Sequence, residues 1–479
     1  MSGRQHKEGF QVYTSFPFVT PAEEHKNTPA ALGIRGSHGI CLEEPDMWQK
    51  PGKTFRDPVH GNLLNPDPLI LDLIDTFEFQ RLRRIRQLGS CFMVFHGAEH
   101  SRFQHALGTM WLTHQVLQRW EQQKLLDLDP SARKATLAAA LLHDVGHGPF
   151  SHALERTFVG LDHELLGHQI IKGPLADVLL AHDCQPDDVV ALLSNRYREP
   201  ALCELLSGQI DVDRMDYLQR DSLYTGVKYG LFDCERILAT LVPIREGAAQ
   251  KELFSEERDG HVLAIDSKGV LAVEEFLFSR YFMYWQVYLH RAVRSAELML
   301  RLILKRAKEL FHLDENSLWL PPNLEFLFNY SKAEKNSETP SEKFLENFLG
   351  LDDFDLFHTL KIWRKAEDDV LCDLVGRFLS RRLFKGASLT NHTQLPGQLK
   401  RRAKKIFGEH WTYYVNPDPL DSVSYGVYRP GTDRPIRTLL APNGSWQELS
   451  RTTNSSAILG LSNQAPTTGG FVFYAPELL

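Results

Sequence analysis

The spacing of apolar residues predicts a mainly helical chain from about residue 55 onward. Apolar side chains recur every three or four positions, which is the spacing that gives a helix one buried face. Stretches with this spacing cover residues 69–88, 106–120, 132–143, 174–182 and 271–310. The fold class that this pattern predicts is mainly α, with a helical core.

One helix boundary can be predicted in detail. Asp129 is a typical N-cap residue, and Pro130 suits the first helical position, where a backbone N–H would have no partner. The Ala- and Leu-rich helix that follows should end before Gly146, because glycine interrupts helices. His143 and Asp144 are therefore expected on or near its last turn.

The rest of the pattern divides the chain into three parts. Residues 1–52 are rich in Pro, Gly and His without a sustained period, and are predicted to be an amino-terminal extension. The polar run at residues 331–340 predicts a linker or surface loop. It would separate a helical core, residues 53–330, from a carboxy-terminal lobe, residues 341–479.

The carboxy-terminal lobe begins with a helical pattern and ends with a strand-like one. Helical spacing covers residues 344–383, and runs of β-branched and aromatic residues between turn signals follow. These runs lie at residues 411–415, 423–428, 436–440 and 471–474. The lobe is therefore predicted to be a smaller α+β unit with a small sheet.

Composition limits the classes of protein that remain. A chain of 479 residues with 43% hydrophobic and 24% charged residues is typical of globular proteins. It has no segment near the ~20 apolar residues of a membrane span and no apolar core of a signal peptide, so we expect a soluble, cytoplasmic protein without a membrane partner. Its six cysteines include no Cys-x-x-Cys pair, which argues against a disulfide framework or a thiolate zinc site.

The distribution of charge favours small anionic ligands. The formal net charge of −7 argues against general affinity for nucleic acids, and the sequence does not indicate single-stranded nucleic acid, although it allows that partner. Basic residues at 81–86 and at 400–405 form two local clusters, which favours phosphate ligands. A solvated helix face is the other interpretation of the second cluster.

Candidate chemistry is concentrated in three short segments that contain histidines and aspartates. Divalent ions such as iron, manganese and zinc bind neutral imidazole together with carboxylate oxygen, so two His and two Asp can form a ligand set. Any one such residue would more often be a buried polar group with a hydrogen-bond partner, and only the combination points to a metal. The candidate ligands are His105, His143, Asp144 and Asp213.

Further histidines follow the candidate ligands. His147 lies one helical turn after the second of them and shares its helix face if the helix continues, and His152 and His163 add two more imidazoles. Because histidine titrates near neutrality, these residues could stabilise phosphate charge or pass a proton to a leaving oxygen. Glu164 or Asp221 could orient such a histidine. Surface positions are the alternative interpretation of His152 and His163.

The chain resembles a known family in an ordered series of motifs between about residues 55 and 291. It is similar to the HD-domain phosphohydrolases, and within them to the deoxynucleoside triphosphate triphosphohydrolases, whose bacterial branch it resembles around residues 276–288. A His-Asp pair alone is weak evidence, but the ordered series is specific. The motifs are Asp57-Pro58-Val59-His60-Gly61, Phe79-Gln80-Arg81-Leu82-Arg83, Gln87-Leu88-Gly89, Ser101-Arg102-Phe103-Gln104-His105, His143-Asp144 through His152, His163-Glu164, and residues 211–221.

The resemblance implies a role for each candidate residue. A divalent ion, which could be manganese, iron, magnesium or zinc, is implied to be held by His105, His143, Asp144 and Asp213. The implied catalytic residues are His147, His152, His163 and Glu164, with His152 as the proton donor to the departing sugar oxygen. The residues implied to hold the triphosphate are Arg102, Arg214, Tyr217 and Arg280, and those implied to contact the deoxyribose are Gln87, Leu88, Asp221 and Tyr288.

The resemblance also implies an activity and an assembly. The expected reaction splits a dNTP into a deoxynucleoside and tripolyphosphate, and the expected assembly is a homo-oligomer, a tetramer or a dimer. An activating guanine nucleotide is implied to bind a second site at Asp75, Gln80 and Arg83. The alternative for these three residues is an N-cap carboxylate at Asp75 followed by a solvated arginine face.

Two other functions are left open by the sequence. An HD-type phosphodiesterase or nuclease would use the same metal ligands, and a catalytically inactive nucleotide-sensing protein could keep the same fold. The three arginines and Tyr288 favour the triphosphohydrolase, because they supply more phosphate and sugar contacts than a monophosphate diester needs. The presence of all four candidate ligands argues against an inactive site.

Overall fold

The computed structural model describes most of the chain from residue 53 to residue 479. Helices predominate among the described residues, and the strands are short. The prediction of a mainly α protein, with a helical core and a smaller carboxy-terminal region that contains strands, is confirmed. The described residues are 53–65, 67–150, 162–245, 260–330, 341–389, 394–418, 427–430, 434–440, 445–463 and 470–479.

The elements up to residue 266 are a hairpin, a series of helices and a second hairpin. In chain order they are β1 (Lys53–Asp57), β2 (Gly61–Asn65), α1 (Pro68–Ile74), α2 (Phe77–Gln80), α3 (Arg102–Gln122), α4 (Pro130–Leu142), α5 (His163–Lys172), α6 (Ala176–Ala181), α7 (Pro186–Leu193), α8 (Pro200–Ser207), α9 (Val212–Thr225), α10 (Cys234–Thr240), β3 (Leu241–Arg245) and β4 (His261–Asp266). Short 3₁₀ helices, Arg81–Arg84 and Gly89–Met93, lie between α2 and α3.

The elements after residue 266 are longer helices followed by a mixture of strands and helices. In chain order they are α11 (Val270–Met283), α12 (Arg291–Leu313), α13 (Pro322–Asn329), α14 (Glu342–Leu349), α15 (Asp353–Trp363), α16 (Asp369–Leu379), β5 (Lys385–Ser388), α17 (Leu395–Phe407), β6 (Val415–Asp418), β7 (Arg437–Leu439), β8 (Trp446–Glu448), α18 (Leu449–Thr452), α19 (Ser456–Asn463) and β9 (Phe471–Tyr474).

Helices α3, α4 and α9 form the centre of the fold, with α3 packed against both of the others. The packed face of α4 is largely alanine, and Ala135 and Ala138 are buried. Small side chains let the helix axes approach closely. As predicted, the Asp129 side chain caps α4, Pro130 is its first residue, and His143 is its C-cap.

The helix predicted at residues 69–88 is divided into shorter pieces. Asp75 is the C-cap of α1, and Thr76 caps α2 by accepting a hydrogen bond from the Phe79 amide at 3.3 Å. The alternative interpretation of Asp75 as an N-cap is therefore wrong. Beyond α2 the chain tightens into the 3₁₀ helix at Arg81–Arg84.

The helix predicted at residues 271–310 is divided as well. A single π-helical turn, Tyr284–Tyr288, follows α11, and His290 then caps α12. A π-turn inserts an extra residue into the helical ladder and changes the direction of the side chains that follow. Tyr288, the last residue of this turn, contacts Tyr217 of α9, with ring centroids 6.1 Å apart.

The strands form three small sheets. β1 pairs with β2, a four-stranded sheet has the order β3-β4-β7-β8, and a three-stranded sheet has the order β5-β9-β6. The small sheet predicted for the carboxy-terminal region is present as β5, β9 and β6. The predicted strand near residue 438 belongs elsewhere, because β7 runs parallel to β4 with Thr438 opposite Ile265.

The β4–β7 pairing joins parts of the chain on either side of the predicted linker. Residues Pro51–Leu479 make up one compact unit, in which α16 also packs against α12. The boundary between residues 330 and 341 stays a prediction, and the predicted extension at residues 1–52 lies outside the described residues. Among the described helices, none combines the length and apolar composition needed to cross a membrane. The described cysteines are free thiols.

The turn after α4 depends on Gly146. A Cβ atom at this position would overlap the His163 carbonyl oxygen and the Gly167 amide nitrogen of α5. Gly146→Ala should therefore push α5 away from the turn and lower the free energy of unfolding by about 1–3 kcal/mol. Urea denaturation measures this change.

Gly376→Ala in α16 is the matched control for that substitution. No described atom lies within 4 Å of a Cβ added at Gly376. Because alanine is a better helix former than glycine, this variant should gain up to about 1 kcal/mol of stability. If Gly146→Ala were as stable as Gly376→Ala, the close contact between the turn and α5 would not be a constraint.

Candidate metal centre

Four candidate ligands come together from three segments of the fold. His105 lies in the first turn of α3, His143 and Asp144 follow α4, and Asp213 lies in the first turn of α9. His105 Nε2 lies 3.1 Å from His143 Nε2, 3.0 Å from Asp213 Oδ1 and 3.8 Å from Asp144 Oδ2. These four residues are termed the metal cluster below.

Both imidazoles of the metal cluster have a hydrogen-bond partner on the nitrogen that points away from it. His105 Nδ1 lies 2.7 Å from Asp216 Oδ2, and His143 Nδ1 lies 2.9 Å from the Ala140 carbonyl oxygen. Carboxylates and carbonyls accept hydrogen bonds, so both Nδ1 atoms donate. This arrangement leaves the two Nε2 atoms available to an ion.

The donor set fits a single divalent ion. Ligand atoms of His105, His143 and Asp144 all lie within 4.8 Å of one another, and Asp213 Oδ1 is 3.6 Å from His143 Nε2. Such separations suit nitrogen and oxygen ligands that bind one ion at about 2.0–2.2 Å. A shell of four protein ligands leaves positions for water and for a substrate oxygen.

Neighbouring charges control the protonation of the cluster. Burial opposes ionisation of Asp144, but Arg102 and the adjacent histidines hold the pKa of that carboxyl well below its usual range. Burial alone would lower the pKa of His105, yet hydrogen bonds to Asp213 and Asp216 raise this pKa to about 10. A bound ion must therefore displace a proton from His105 at neutral pH.

Asp216 connects His105 to the β1–β2 hairpin. Its carboxylate accepts hydrogen bonds from Arg220 Nε and Nη2 at 2.9 and 2.8 Å, and its Oδ1 lies 2.6 Å from His60 Nε2. Arg220 Nη1 in turn donates to Asp57 Oδ2 at 2.7 Å. The sequence assigned no role to these residues. The group formed by Asp57, His60, Asp216 and Arg220 is termed the Asp216 network.

Two of the four predicted catalytic residues lie side by side next to the metal cluster. The rings of His147 and His163 are stacked, with centroids 3.9 Å apart and an interplanar angle of 17°. His147 Nε2 lies 3.4 Å from Asp144 Oδ1, and His163 Nδ1 lies 3.3 Å from Asp162 Oδ1. The pair therefore places two imidazoles beside a candidate metal ligand.

Other predicted residues of the site are less closely associated with the cluster. Glu164 is exposed in the first turn of α5, and His152 lies outside the described residues. Leu88 is half-buried and packs against the core. The backbone N–H of Gln87 donates to the His100 carbonyl at 3.0 Å. Gln87 Oε1 is buried and has no hydrogen-bond partner within the described part of the chain.

A tyrosine and a carboxylate are fixed to one another beyond the cluster. The Tyr288 hydroxyl donates to Asp221 Oδ2 at 2.7 Å, and Asp221 Oδ1 lies 2.7 Å from His100 Nε2. The Tyr217 ring lies between this pair and the cluster, 6.1 Å from the Tyr288 centroid and 6.4 Å from that of His105. Burial and Asp221 raise the pKa of Tyr288 well above its usual range, so its hydroxyl stays a donor.

The three predicted phosphate-binding arginines lie near the metal cluster or near Tyr217. Arg102 pairs with Asp144, and Arg214 pairs with the N-cap carboxylate of α9. Arg280 Nε is a buried donor without a partner among the described residues. Burial raises the pKa of Tyr217, and the charges of Arg214 and Arg280 oppose that rise, which places both arginines near its ring.

The carboxy-terminal part of the chain reaches this region, which the sequence did not predict. The Val427 carbonyl accepts a hydrogen bond from Arg280 Nη1 at 2.9 Å. Gln209, two residues before the N-cap of α9, donates to the Arg429 and Arg434 carbonyls at 3.1 and 2.8 Å. It also accepts a hydrogen bond from the Arg429 amide at 3.0 Å. Gln209, which precedes α9 in the sequence, and Arg280, which follows it, thus both bind the carboxy-terminal region.

The three predicted regulatory residues form a group at the ends of α1 and α2. Asp75 is exposed and lies 3.7 Å from Lys53 Nζ. Gln80 Oε1 accepts a hydrogen bond from Arg83 Nε at 2.8 Å, and the Arg83 guanidinium lies 3.5 Å from the centroid of Phe103. Their regulatory role stays a prediction.

The sequence contained a partial signal for the Asp216 network. Asp216 and Arg220 are four residues apart in α9, a spacing typical of ion pairs along a helix. Asp57 and His60 belong to a quoted motif, but nothing local indicates that they contact residues about 160 positions later. Only the fold brings the hairpin turn to α9.

The central part of the chain matches known HD-domain proteins. A family model described as HD domain matches residues 102–221, and one described as HD associated region matches residues 253–339. The chain is 38% identical over 434 residues to the uncharacterized protein YwfO of Bacillus subtilis, a match that covers 89% of this chain and 93% of YwfO. It is 32% identical over 247 residues to the deoxynucleoside triphosphate triphosphohydrolase SAMHD1 of Bos taurus, which covers 44% of this chain and 41% of that protein.

A solved structure is similar over nearly the whole described fold. The crystal structure of a phosphohydrolase from Bacteroides thetaiotaomicron matches with a TM-score of 0.75 and 31% sequence identity, covering 88% of this chain and 100% of that chain. The chain belongs to the HD-domain phosphohydrolase family. The match to bovine SAMHD1 spans less than half of that protein.

Metal affinity should rise with pH. Burial lowers the pKa of both cluster imidazoles, but the neighbouring carboxylates outweigh it, so the pKa of His105 is raised to about 10 and that of His143 is also raised. His105 is therefore protonated at neutral pH in the metal-free protein, and binding must release its proton. Between pH 8 and pH 6 the affinity for Mn²⁺ should fall about tenfold or more. Chelator competition measures it, and an affinity independent of pH would contradict the assignment.

Proposed function

We propose that the protein hydrolyses deoxynucleoside triphosphates to a deoxynucleoside and tripolyphosphate. The observation that carries the proposal is the Tyr288–Asp221 hydrogen bond beyond the metal cluster. A metal cluster would serve many phosphohydrolases, whereas a fixed tyrosine and carboxylate next to it suit the sugar of a nucleotide. The relative from Bos taurus is named for this reaction.

The tyrosine ring is proposed to exclude a 2′-hydroxyl. Tyr288 packs edge-on against Tyr217 and Tyr284, with centroids 6.1 and 5.4 Å away, so its ring has little freedom to move. Asp221 would accept a hydrogen bond from a sugar hydroxyl. The buried Gln87 Oε1 offers a second acceptor, and a bound sugar would supply its missing donor. Leu88 would pack beside the sugar.

The arginines are proposed to hold the triphosphate, together with the Tyr217 hydroxyl. Arg280 Nε is a buried donor without a partner in the described chain, and such a group costs about 1–3 kcal/mol when it stays unpaired. A phosphate oxygen would supply its acceptor. Arg214 and Arg102, which pair with Asp211 and Asp144, would supply further positive charge for the triphosphate.

The proposed reaction is attack of water on the α-phosphorus with cleavage of its bond to the sugar oxygen. A divalent ion bound by His105, His143, Asp144 and Asp213 would polarise the α-phosphoryl group. His147 and His163 would stabilise phosphate charge, and Asp144 fixes His147 at 3.4 Å. His152 is proposed as the proton donor to the departing oxygen, with Glu164 in support of the histidines.

The ion is proposed to be manganese, iron, magnesium or zinc. The imidazole ligands suit iron and zinc, whereas the carboxylates suit magnesium and manganese, so the donor set does not select among them. A cytoplasmic location, which the sequence predicts, would place the enzyme beside the nucleotide pool.

Regulation by a second nucleotide is part of the proposal. Asp75 is exposed, and Arg83 donates to Gln80 while its guanidinium lies 3.5 Å from the Phe103 centroid, so the group is arranged before a ligand binds. A guanine nucleotide at these residues would stabilise a homo-oligomer, a tetramer or a dimer, and raise activity. Phe103 lies two residues before His105 in α3, so a ligand that moves Arg83 and Phe103 would also affect the start of the helix that carries a metal ligand.

Asp213→Ala should abolish release of tripolyphosphate from dNTPs with Mn²⁺, because it removes a metal ligand without disturbing the helix. Asp188→Ala is the matched control, since it removes a carboxylate from the first turn of α7. Circular dichroism checks that both variants fold. A panel of dNTPs and NTPs gives the substrate range, with dNTPs as the expected substrates.

Each other result of that assay has a clear meaning. Unchanged turnover in Asp213→Ala would overturn the metal assignment. Cleavage of cyclic nucleotides or nucleic-acid ends without tripolyphosphate would identify a phosphodiesterase or nuclease instead. A wild-type protein that binds nucleotides but turns over none of them would be a sensing protein.

dGTP should increase both the mass and the turnover of the wild-type protein. Arg83→Ala should lose this response while its rate without dGTP stays the same. Arg401→Ala, which removes an exposed arginine from α17, is the control and should respond like the wild type. Analytical ultracentrifugation and rate measurements test both effects, and a wild-type protein unchanged by dGTP would contradict the regulatory site.

A further inference from the structure

The Asp216 carboxylate lies at the junction of three elements. It contacts His105 of α3, Arg220 of its own helix α9, and His60 of the β1–β2 turn. The side chains of Asp216 and Arg220 are fully buried, and that of His60 is 8% exposed. Arg220 contacts both oxygens of the carboxylate and His60 contacts Oδ1, so these partners fix the oxygen that meets the His105 ring.

The β1–β2 turn is built around a second carboxylate, that of Asp57. Its Oδ1 accepts hydrogen bonds from the Val59 and His60 amides, both at 2.9 Å, which closes the turn. Its Oδ2 accepts the bond from Arg220 Nη1 at 2.7 Å. The Asp57 side chain therefore shapes the turn that carries His60. It also binds Arg220, which in turn binds Asp216.

Gly108 makes room for this arrangement. It lies three residues after His105 in α3. A Cβ atom at this position would overlap both the Asp216 carboxylate and the Arg220 guanidinium. Helix α3 thus leaves a gap for a charged pair at the point where it approaches α9. Glycine otherwise weakens a helix interior, by about 1 kcal/mol relative to alanine.

Stability alone is a poor explanation for such a buried group. The attraction between buried charges is largely offset by the loss of their hydration, and well-packed apolar residues are often as stable. The direction of the Asp216 Oδ2 atom offers another explanation, because it meets the His105 nitrogen opposite the metal cluster at 2.7 Å. Carboxylates in this position orient a ligating histidine and increase its basicity.

We propose that Asp216 is a positioning residue for His105, and that the β1–β2 turn, through Asp57 and His60, sets the metal affinity of the cluster. The inference rests on the proposed function only in that the cluster binds a divalent ion. No particular substrate is required. The amino-terminal hairpin is then part of the metal centre although it supplies no ligand.

The test measures binding of Mn²⁺ to the full chain by chelator competition, with Co²⁺ absorption spectra as a second readout of the ligand geometry. Asp216→Asn should weaken Mn²⁺ binding by about 10- to 100-fold, the usual effect of such substitutions. Asp57→Asn and His60→Gln should weaken it less, by several-fold, because each removes only one support of the carboxylate. The Co²⁺ spectrum should change in all three variants.

The matched control is Asp418→Asn. Asp418 accepts hydrogen bonds from Arg294 Nε and Nη2 at 3.0 and 2.6 Å, so it is a buried carboxylate–arginine pair that does not contact the metal cluster. Its substitution should lower the thermal midpoint of the protein and leave Mn²⁺ affinity and the Co²⁺ spectrum unchanged. A loss of affinity in this control as large as that in Asp216→Asn would overturn the proposal.

The remaining outcomes concern variants that do not fold or do not lose affinity. If Asp216→Asn folds and binds Mn²⁺ like the wild type, the proposal is wrong. If it does not fold, Asp57→Asn and His60→Gln decide, and wild-type affinity in both would overturn the proposal. Because metal binding is measured without a nucleotide, a protein inactive on dNTPs that still shows these losses supports this inference while contradicting the proposed function.

Discussion

The need to compensate buried carboxylates organises the centre of this protein. Each of three buried aspartates has an arginine of its own, and the pairs are Asp144 with Arg102, Asp211 with Arg214, and Asp216 with Arg220. Asp213, whose side chain is 31% exposed, faces the two cluster histidines. Since an uncompensated charge is costly in such surroundings, a bound cation that displaces the His105 proton would take over the compensation of the fourth carboxylate.

This requirement constrains the packing around it. Helices α3 and α9 must approach closely enough for His105 to reach Asp213 and Asp216, and Gly108 provides the space. The turn after α4 must lie against α5 for His147 to stack on His163, and Gly146 permits that contact. The charged groups and the two glycines therefore depend on each other.

Local chemistry made part of this arrangement predictable. The start and end of α4 follow from Asp129, Pro130 and Gly146, and the segments that supply the metal cluster could be identified from their residue types. The contacts among those segments could not be derived from spacing, because they depend on how helices cross. The parallel pairing of β7 with β4 has no local signal, since it joins strands distant in sequence, and the apolar spacing did not indicate the π-turn after α11.

The contacts of the metal site with the carboxy-terminal region join residues that are synthesised at very different times, and so do the contacts within the Asp216 network. Arg280 and Val427 are 147 residues apart, Gln209 and Arg434 are 225 apart, and Asp57 and Arg220 are 163 apart. During synthesis the residues of the metal cluster and the Asp216 network are complete by residue 221, whereas Val427 emerges about 200 residues later. Every residue of the metal cluster is therefore synthesised before Val427, whose carbonyl accepts a hydrogen bond from Arg280. The contacts of Arg280 and Gln209 with the carboxy-terminal region are therefore the last contacts of this region that can form during synthesis.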